Sequence, residues 1–323
     1  MKEIGAYFEL ELPLDPSVKS LHDDGVRLNS ARHALEYILS LQSDIDSVWL
    51  PTYTCEVVYE PLKRRGVKVL RYNIDRNLKI PQLPQIGPED IIILNNYYGI
   101  LDAYINKIAR LYGQNVIIDN AQAWYADSDN GFRAFYSPRK FFGLPDGGIA
   151  VNVPEETGII DRDKSYDRCS HLLKRIDVSA SAGYHDFTEN SAKLSDIGMM
   201  RMSNLTGRLL NVIDCEKAKN IRLKNFAYLS GNLDSINELE LPGAQTYECP
   251  MVYPLLVENG ARIRRHLIEN NIFVATYWPN VLEECPKHSD EYYLADNLLA
   301  LPIDQRYGEE DMKRIVSVIK AKL

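Results

Sequence analysis

Lys140 lies in a stretch whose residue types could support covalent chemistry on a carbonyl group. The stretch runs from Phe135 to Gly148 and reads FYSPRKFFGLPDGG. It predicts a short buried strand before the lysine and a second strand from Ile149 to Val153. We expect a lysine among apolar and aromatic neighbours to be poorly solvated, and desolvation lowers the pKa of an ammonium group. Such an amine can form a Schiff base, although an isolated lysine in this position is more often a solvated residue of a hairpin turn.

The residues around this lysine include candidates for binding a ligand. Ser137 could bind an anion beside Lys140, and the pair Gly147 and Gly148 would let the backbone pass close to a bound group. Asp119 follows the apolar run Val116-Ile117-Ile118. Parallel sheets place their chemistry at the carboxyl ends of strands, so an aspartate there could share a site with the lysine. Taken alone, the same aspartate reads as an ordinary turn former at a strand end.

Strands and helices alternate in the part of the chain before Lys140. Ser30 is a plausible N-cap for a helix that starts at Ala31, and its first free amides could hold a phosphate group. The expected strands are residues 47–50, 67–72, 90–94 and 116–118, and the further helices are residues 57–65 and 103–112. This alternation predicts an α/β fold, with a mostly parallel sheet sandwiched by helices. Before Leu28 we expect an irregular lead-in with a short strand at residues 8–12.

The pattern changes after about Asp161. A helix around Leu172 to Ile176 is followed by a stretch from Ser179 to Asp196 that reads as a polar loop. A long helix, either straight or kinked in the middle, is then expected from Ser203 to about Leu229. The remaining elements predict a smaller α+β unit, with strands at residues 251–257 and 272–275, helices at 261–270 and 309–320, and a loop at 277–280. We therefore expect a large domain over residues 1–218 and a small domain over residues 219–323.

Composition limits the possible partners and the compartment. The net charge is −8 and the isoelectric point is about 5.4, which argues against nucleic acid or an anionic membrane as the main partner. The five cysteines are scattered without CxxC spacing, so we expect free thiols in a reducing cytoplasm and no metal site. No signal peptide or membrane span is evident. A nicotinamide dehydrogenase is disfavoured because no GxGxxG motif follows the early strands.

Several short motifs follow one another in a fixed order along the chain. They are Ser30 to Leu35, Pro51 to Thr54, Tyr98-Gly99 with Asp102, Asp119 to Gln122, Lys140 with Asp146-Gly147-Gly148, and Arg201-Met202-Ser203. In this order the chain resembles the pyridoxal-phosphate (PLP) aminotransferases of fold type I, and within them the DegT/DnrJ/EryC1/StrS family of sugar aminotransferases. The resemblance covers most of the chain.

The resemblance implies a role for each matching residue. Lys140 matches the lysine that binds the cofactor through a Schiff base, and Asp119 matches the carboxylate that pairs with the pyridine nitrogen. Gln122 matches the residue that bonds the phenolic oxygen. The phosphate would be bound by Ser30, Ala31, Arg32 and Ser137, and Cys55 occupies the position that often stacks on the ring. Phe135 stands where sugar aminotransferases usually carry a phosphate-binding serine, and Met199-Met200 stand where an asparagine often reaches the neighbouring subunit.

The resemblance also implies a reaction and partners. It is the transfer of an amino group from glutamate to a nucleotide-linked keto sugar in cell-surface polysaccharide biosynthesis, by a cytoplasmic homodimer with its active site at the interface. Tyr98, Tyr184, His185 and Trp278 would suit contacts with a sugar, although such aromatic residues are more often core or interface residues. Two alternatives stay open, because fold does not fix function: a PLP lyase or racemase, and a non-catalytic homologue.

Overall fold

A seven-stranded sheet forms the centre of the larger part of the chain. The structure is a computed structural model that describes residues 10–12, 20–127, 129–155, 158 and 160–322. The strands are β1 (Val26–Leu28), β2 (Ser47–Pro51), β3 (Lys68–Tyr72), β4 (Ile91–Asn95), β5 (Val116–Asn120), β6 (Ala134–Tyr136) and β7 (Gly148–Val151), in the spatial order β1-β7-β6-β5-β4-β2-β3. The neighbouring strands β3 and β2, β2 and β4, β4 and β5, and β5 and β6 are parallel. Strand β7 runs antiparallel to both β6 and β1.

Apolar side chains from both faces of this sheet form two separate cores. Ile93 of β4 and Ile117 of β5 point to one face, where they pack with the helices α1 (Ala31–Ser40) and α2 (Tyr59–Arg65). Ile92 and Ile118 point to the other face, which α3 (Asp102–Tyr112) covers. Strands buried on both faces need continuous apolar runs, and the sequence has them. The prediction of a mostly parallel sheet between helices is confirmed.

A helical hairpin follows the sheet where the sequence predicted a loop. Its helices are α4 (Ser170–Asp177) and α5 (Ala180–Asp196). Ser179 caps α5 by accepting a hydrogen bond from the Ala182 amide, and Gly183 lets the helices approach, because a Cβ there would lie 2.9 Å from the His171 carbonyl oxygen. The polar-loop prediction for residues 179–196 is therefore wrong. Few of its residues are buried, so the helical period was absent from the apolar pattern.

The predicted long helix after Ser203 is two helices, α6 (Asn204–Val212) and α7 (Cys215–Leu233). They separate at Asp214, whose side chain accepts a hydrogen bond of 2.8 Å from the Lys217 amide and so starts a new helix. The proposed domain boundary between residues 218 and 219 would fall in the first part of α7.

The C-terminal part contains a small antiparallel sheet with helices around it. Strands β8 (Val252–Leu256) and β9 (Leu298–Pro302) pair with each other. The helices are α8 (Gly260–Glu269), α9 (Pro279–Glu284), α10 (Asp290–Asn297) and α11 (Glu309–Lys320). The terminal helix has the predicted bounds. The predicted strand at residues 272–275 is wrong, because that segment is irregular and exposes Phe273, and β9 was not predicted.

Two further predictions concern the start of the chain and membranes. Residues 8 and 9 of the expected short strand lie outside the described residues, and Leu10 to Leu12 do not form a strand. The lead-in instead contains β1. In the part of the chain that the structure describes, no helix combines the length and apolar character needed to cross a membrane.

Candidate active site

Three of the predicted site residues lie together at the carboxyl edge of the sheet. Asp119 is the next-to-last residue of β5 and is 8% exposed, and Cys55 follows the loop after β2. Burial raises the pKa of the Asp119 carboxyl, while the charge of Lys140 and a hydrogen bond from the Ala121 amide lower it in part. Burial likewise raises the pKa of the Cys55 thiol, again opposed by Lys140. The charge of Lys140 therefore reaches both groups.

Lys140 itself is exposed, so the expectation of a poorly solvated lysine is wrong for the single chain. It ends a short 3₁₀ turn, Pro138–Lys140, and the aromatic residues that follow it turn away from it. Phe141 and Phe142 are buried in the core that also contains Trp124. Apolar neighbours in sequence are thus not neighbours of the amine in space. An exposed amine beside a buried carboxylate leaves the site open to solvent.

Gln122 presents one bonded and one unbonded end to this region. Its Oε1 accepts a hydrogen bond of 3.1 Å from the amide of Tyr98, a residue with a left-handed backbone (φ 56°). Its Nε2 is buried and has no hydrogen-bond partner among the described residues. A buried donor without an acceptor is costly, so this amide is suited to a group that enters the site.

The start of α1 provides a possible anion site. Ser30 caps the helix, since its Oγ accepts a hydrogen bond of 3.2 Å from the His33 amide. The first amides of a helix, here those of Ala31 and Arg32, have no acceptor within the helix. The Arg32 side chain is bound to Glu60 at 2.6 Å, so only its amide remains suited to an anion.

Gly148 allows the loop that carries Lys140 (residues 137–147, here called the lysine loop) to lie close to the start of α1. A Cβ at that position would lie 2.1 Å from the carbonyl carbon and oxygen of Ser30, so a side chain does not fit. Gly147, with φ 128°, donates its amide to the Asn29 carbonyl at 2.8 Å. The glycine pair was expected to let the backbone approach a bound group. In the structure it lets the backbone approach the start of α1.

Asp146, the first residue of the Asp-Gly-Gly motif, holds α6 in place. Its carboxylate is fully buried and accepts hydrogen bonds from the Ser203 amide and hydroxyl, both at 2.8 Å, and from the Thr206 hydroxyl. Ser203 is the N-cap of α6. Sequence analysis did not assign this role, because the partners lie 57 and 60 positions away. Ser137 is also buried, and its carbonyl accepts the Lys140 amide at 3.2 Å.

The four expected sugar contacts lie in two different environments. Tyr98 is fully buried and its hydroxyl bonds that of Tyr53 at 3.1 Å, and Trp278 is buried with its ring 5.1 Å from the ring of Tyr53. Tyr184 and His185 lie on α5, where the first is 66% exposed and the side chain of the second is 88% exposed. The structure therefore does not bring these four residues together.

Two residues near Asp119 and Cys55 were missed. Asn95 ends β4 in register with Asp119, and its Nδ2 donates to Thr54 Oγ1 at 2.9 Å. An asparagine pair directly after an all-apolar strand was the available signal for it. Burial and, to a smaller extent, Cys55 raise the pKa of Tyr277 to about 12, which places this tyrosine beside the cysteine.

One cluster on α5 contains side chains of the kinds that bind metal ions. His185, Asp186 and Glu189 on α5 could present ligand atoms within 4.8 Å of one another. Asp186 already accepts hydrogen bonds from Lys174 and Ser170, each at 2.7 Å. This cluster therefore does not resemble a preformed metal site.

Comparison with known proteins shows which solved structures have a similar fold. No protein-family model and no curated protein matches the chain. The structure is similar to the sugar aminotransferase CalS13 from Micromonospora echinospora, with a TM-score of 0.66, 20% identity, and coverage of 94% of this chain and 88% of that chain. It is also similar to AtS13 from Actinomadura melliaura (TM-score 0.64, 19% identity, 94% and 87% covered). DesV from S. venezuelae, solved in complex with a ketimine intermediate, has a TM-score of 0.62 at 18% identity, with 92% and 84% covered.

These identities support a conclusion about fold. The chain covers most of each of these structures, and its fold is similar to theirs over that length. The resemblance noted in the sequence is confirmed at this level, because the similar structures include a DegT/DnrJ/EryC1/StrS aminotransferase from Brucella abortus. The chain therefore has the fold of the fold-type I PLP transferases.

Proposed function

We propose that this chain is a PLP-dependent aminotransferase that moves an amino group from glutamate to a nucleotide-linked keto sugar in cell-surface polysaccharide biosynthesis. One observation supports this most directly: the buried Asp119 lies within electrostatic reach of Lys140, on a fold shared with sugar aminotransferases. The names of the similar structures supply the sugar, and the resemblance in sequence supplies glutamate and the pathway class. The cytoplasm is proposed from the five free cysteines.

The residues present fit PLP. Asp119 would accept a hydrogen bond from the protonated pyridine nitrogen, and the unpartnered Nε2 of Gln122 would donate to the phenolic oxygen. The amides of Ala31 and Arg32 would bind the phosphate at the start of α1. Ser137 would add a hydroxyl, with Ser30 capping the helix. Cys55 would contact the ring.

The chemistry of the bound cofactor is that of an electron sink for the carbon that carries the amino group. Lys140 would hold the cofactor and then move a proton as base and acid. Asp119, buried and with a raised pKa in the cofactor-free chain, would be stabilised in its charged form by a positive pyridinium. The open side near Lys140 must be covered for this proton transfer to exclude water.

A second copy of the chain is the proposed cover. The α4–α5 hairpin exposes several large apolar side chains beside the loop that carries Lys140, and Asn190 of α5 donates to the Pro145 carbonyl at 2.8 Å. These side chains are Leu173, Ile176, Val178, Tyr184 and Phe187. Exposed apolar groups at this density mark interaction surfaces. We therefore propose that the chain forms a homodimer with its active site at the interface.

The absorption spectrum of the purified chain with added PLP tests the proposal. We expect a visible band that glutamate converts to the shorter-wavelength form of the aminated cofactor. Borohydride should fix the cofactor to a peptide that contains Lys140, and Lys140→Ala should abolish this adduct, whereas Lys107→Ala on the exposed side of α3 should not. A band that glutamate leaves unchanged would favour a lyase or racemase. Absence of any bound cofactor would leave only the non-catalytic homologue.

A further inference from the structure

The carbonyl group of Phe141, the residue after Lys140, accepts hydrogen bonds from two side chains that lie 81 and 164 positions further along the chain. Arg222 of α7 donates from Nη2 at 3.2 Å, and Gln305, in the loop between β9 and α11, donates from Nε2 at 2.8 Å. The two side chains also bond each other, since Arg222 Nε donates to Gln305 Oε1 at 3.0 Å. Because a carbonyl oxygen has two lone pairs, these two donors occupy both of them.

Arg222 is buried in a place where an apolar side chain would be expected. It is 1% exposed, and its Nη1 donates to the Met251 carbonyl at 3.0 Å. The hydrogen bonds that it makes within the described part of the chain all go to neutral oxygens. Burial lowers the pKa of this guanidinium, and the charge of Asp304 opposes the effect. Taking a charged group out of water costs free energy, so the donors of this arginine, and not its packing, explain why it is there.

The loop that carries Gln305 is held against α7. Asn225 of that helix donates from Nδ2 to the carbonyls of Ile303 and Tyr307, both at 3.0 Å. These bonds fix the loop backbone on both sides of Gln305. The orientation of the Gln305 amide follows, because its oxygen faces a guanidinium N–H and its nitrogen faces the carbonyl in the lysine loop. A carboxylate at this position could keep the first bond but not the second.

The backbone of Lys140 is therefore held on both sides. Its own amide and the amides of the next two residues donate to carbonyls of the turn before it, at 3.2, 3.0 and 2.9 Å. On the other side, Arg222 and Gln305 bind the carbonyl of the next residue. The side chain of Lys140 is exposed. The amine thus moves by changes of side-chain rotamer from a Cα atom whose place is set by its neighbours.

We propose that Arg222 and Gln305 are positioning residues for Lys140, which fix its backbone through the Phe141 carbonyl and so set the place from which the amine acts. The inference rests on the proposed function, in which Lys140 holds the cofactor and moves a proton. A displacement of about 1 Å between reacting groups can slow an enzymatic step about 100-fold. A pair that acts only through the backbone can therefore control the rate.

The pKa of the Cys55 thiol reports the place of the Lys140 charge in the cofactor-free chain. Burial raises this pKa and Lys140 lowers it, whereas Asp119 and Glu56 raise it and are unaltered in the variants below. Alkylation of Cys55 over a range of pH, quantified by mass spectrometry of its peptide, measures the pKa. A lysine that is no longer held near the thiol should lower this pKa less.

Two neutral substitutions separate positioning from general stability. Gln305→Met should raise the thiol pKa in the same direction as Lys140→Gln, which removes the charge altogether. Asn297→Leu is the matched control and should leave the thiol pKa unchanged. The Asn297 amide also accepts one hydrogen bond and donates one to a carbonyl, but its partners are Gly260 and Tyr293 and not the lysine loop. Urea unfolding checks that both variants are folded.

The reaction with glutamate gives a second readout. With PLP bound, Gln305→Met and Gln305→Glu should slow the absorbance change that glutamate causes about tenfold, at an unchanged half-saturating glutamate concentration. Gln305→Glu keeps the acceptor for Arg222 and loses the donor to the Phe141 carbonyl, so it isolates the bond that holds the lysine loop. Asn297→Leu should react at the unaltered rate.

Three results would overturn the inference. They are an unchanged Cys55 pKa in Gln305→Met, an unchanged rate in Gln305→Glu, and equal slowing by Asn297→Leu, which would indicate a general loss of stability. If glutamate causes no absorbance change in the unaltered chain, the proposed aminotransferase activity fails instead. The Cys55 measurement then decides by itself whether Gln305 holds Lys140 in place.

Discussion

Replacing Asp146 by alanine should break the contact between the lysine loop and α6 and destabilise the chain. The carboxylate accepts two hydrogen bonds from Ser203 and one from Thr206 in a fully buried setting. Each hydrogen bond to a charged group contributes about 1.5–3 kcal/mol, but the three are not additive, because the two hydroxyls can find other partners. The Ser203 amide cannot, and Arg139, whose pKa burial lowers to about 10, loses a nearby counter-charge. We expect a loss of roughly 3–5 kcal/mol in the free energy of unfolding.

Urea unfolding followed by tryptophan fluorescence measures this loss. Asp214→Ala is the matched control, because Asp214 caps α7 with a single exposed hydrogen bond and its removal should cost only about 1 kcal/mol. Asp146→Asn should fall between the two, since its amide oxygen can still accept from the Ser203 amide while the charge is gone. If Asp146→Ala costs no more than Asp214→Ala, or abolishes cofactor binding at unchanged stability, the carboxylate is not a structural cap and the reasoning fails.

Three further predictions concern single residues of the site and its frame. Because burial raises the pKa of Asp119, ionisation of this carboxyl opposes folding as the pH rises. Asp119→Asn should therefore raise the free energy of unfolding of the cofactor-free chain at neutral pH by about 0.5–2 kcal/mol, measured by urea unfolding. The same substitution should weaken PLP binding at least tenfold, measured by absorbance titration. Gly148→Ala should destabilise the chain by more than about 2 kcal/mol, since its Cβ would overlap the Ser30 carbonyl, whereas Gly207→Ala should stabilise α6 by about 0.5–1 kcal/mol in the same assay. Burial lowers the pKa of His33 from 6.5 to about 3, so the stability that depends on neutral His33 is fully present above pH 6.5 and is lost as the pH falls toward 3. His33→Gln should therefore reduce the slope of the free energy of unfolding against pH between pH 3 and 6.5 by up to about 1.4 kcal/mol per pH unit.

The sheet was predictable because its signal is local. β4 and β5 are continuous runs of isoleucine, leucine and valine, and such runs have few alternatives to a strand buried on both faces. The starts of α1 and α11 were also predictable, since Ser30 is a strong cap and Glu309 begins an acidic first turn.

The elements that were missed depend on distant partners. α5 consists of small and polar residues, and it forms a helix because Gly183 packs directly against α4. β9 is a short apolar run whose period fits a helix as well as a strand, and its pairing with β8 decides between them. The exposure of Lys140 was missed for a related reason. The direction in which Phe141 and Phe142 point is set by the core and not by their order in the chain.

The candidate site combines rigid and open parts, and this combination follows from how each part is held. Asp119 is fixed at the carboxyl end of the central strand β5, Gln122 is fixed through Tyr98, and the start of α1 is fixed by the backbone at Gly148. Lys140 ends the short turn after Ser137, and its side chain is exposed to solvent. Groups that bind a ligand at constant geometry benefit from rigidity, whereas a group that exchanges bonding partners and carries a proton between them must move. The contrast between the fixed carboxylate and the free amine is therefore what a covalent cofactor site requires, and a site that only bound an anion would have no need of the amine.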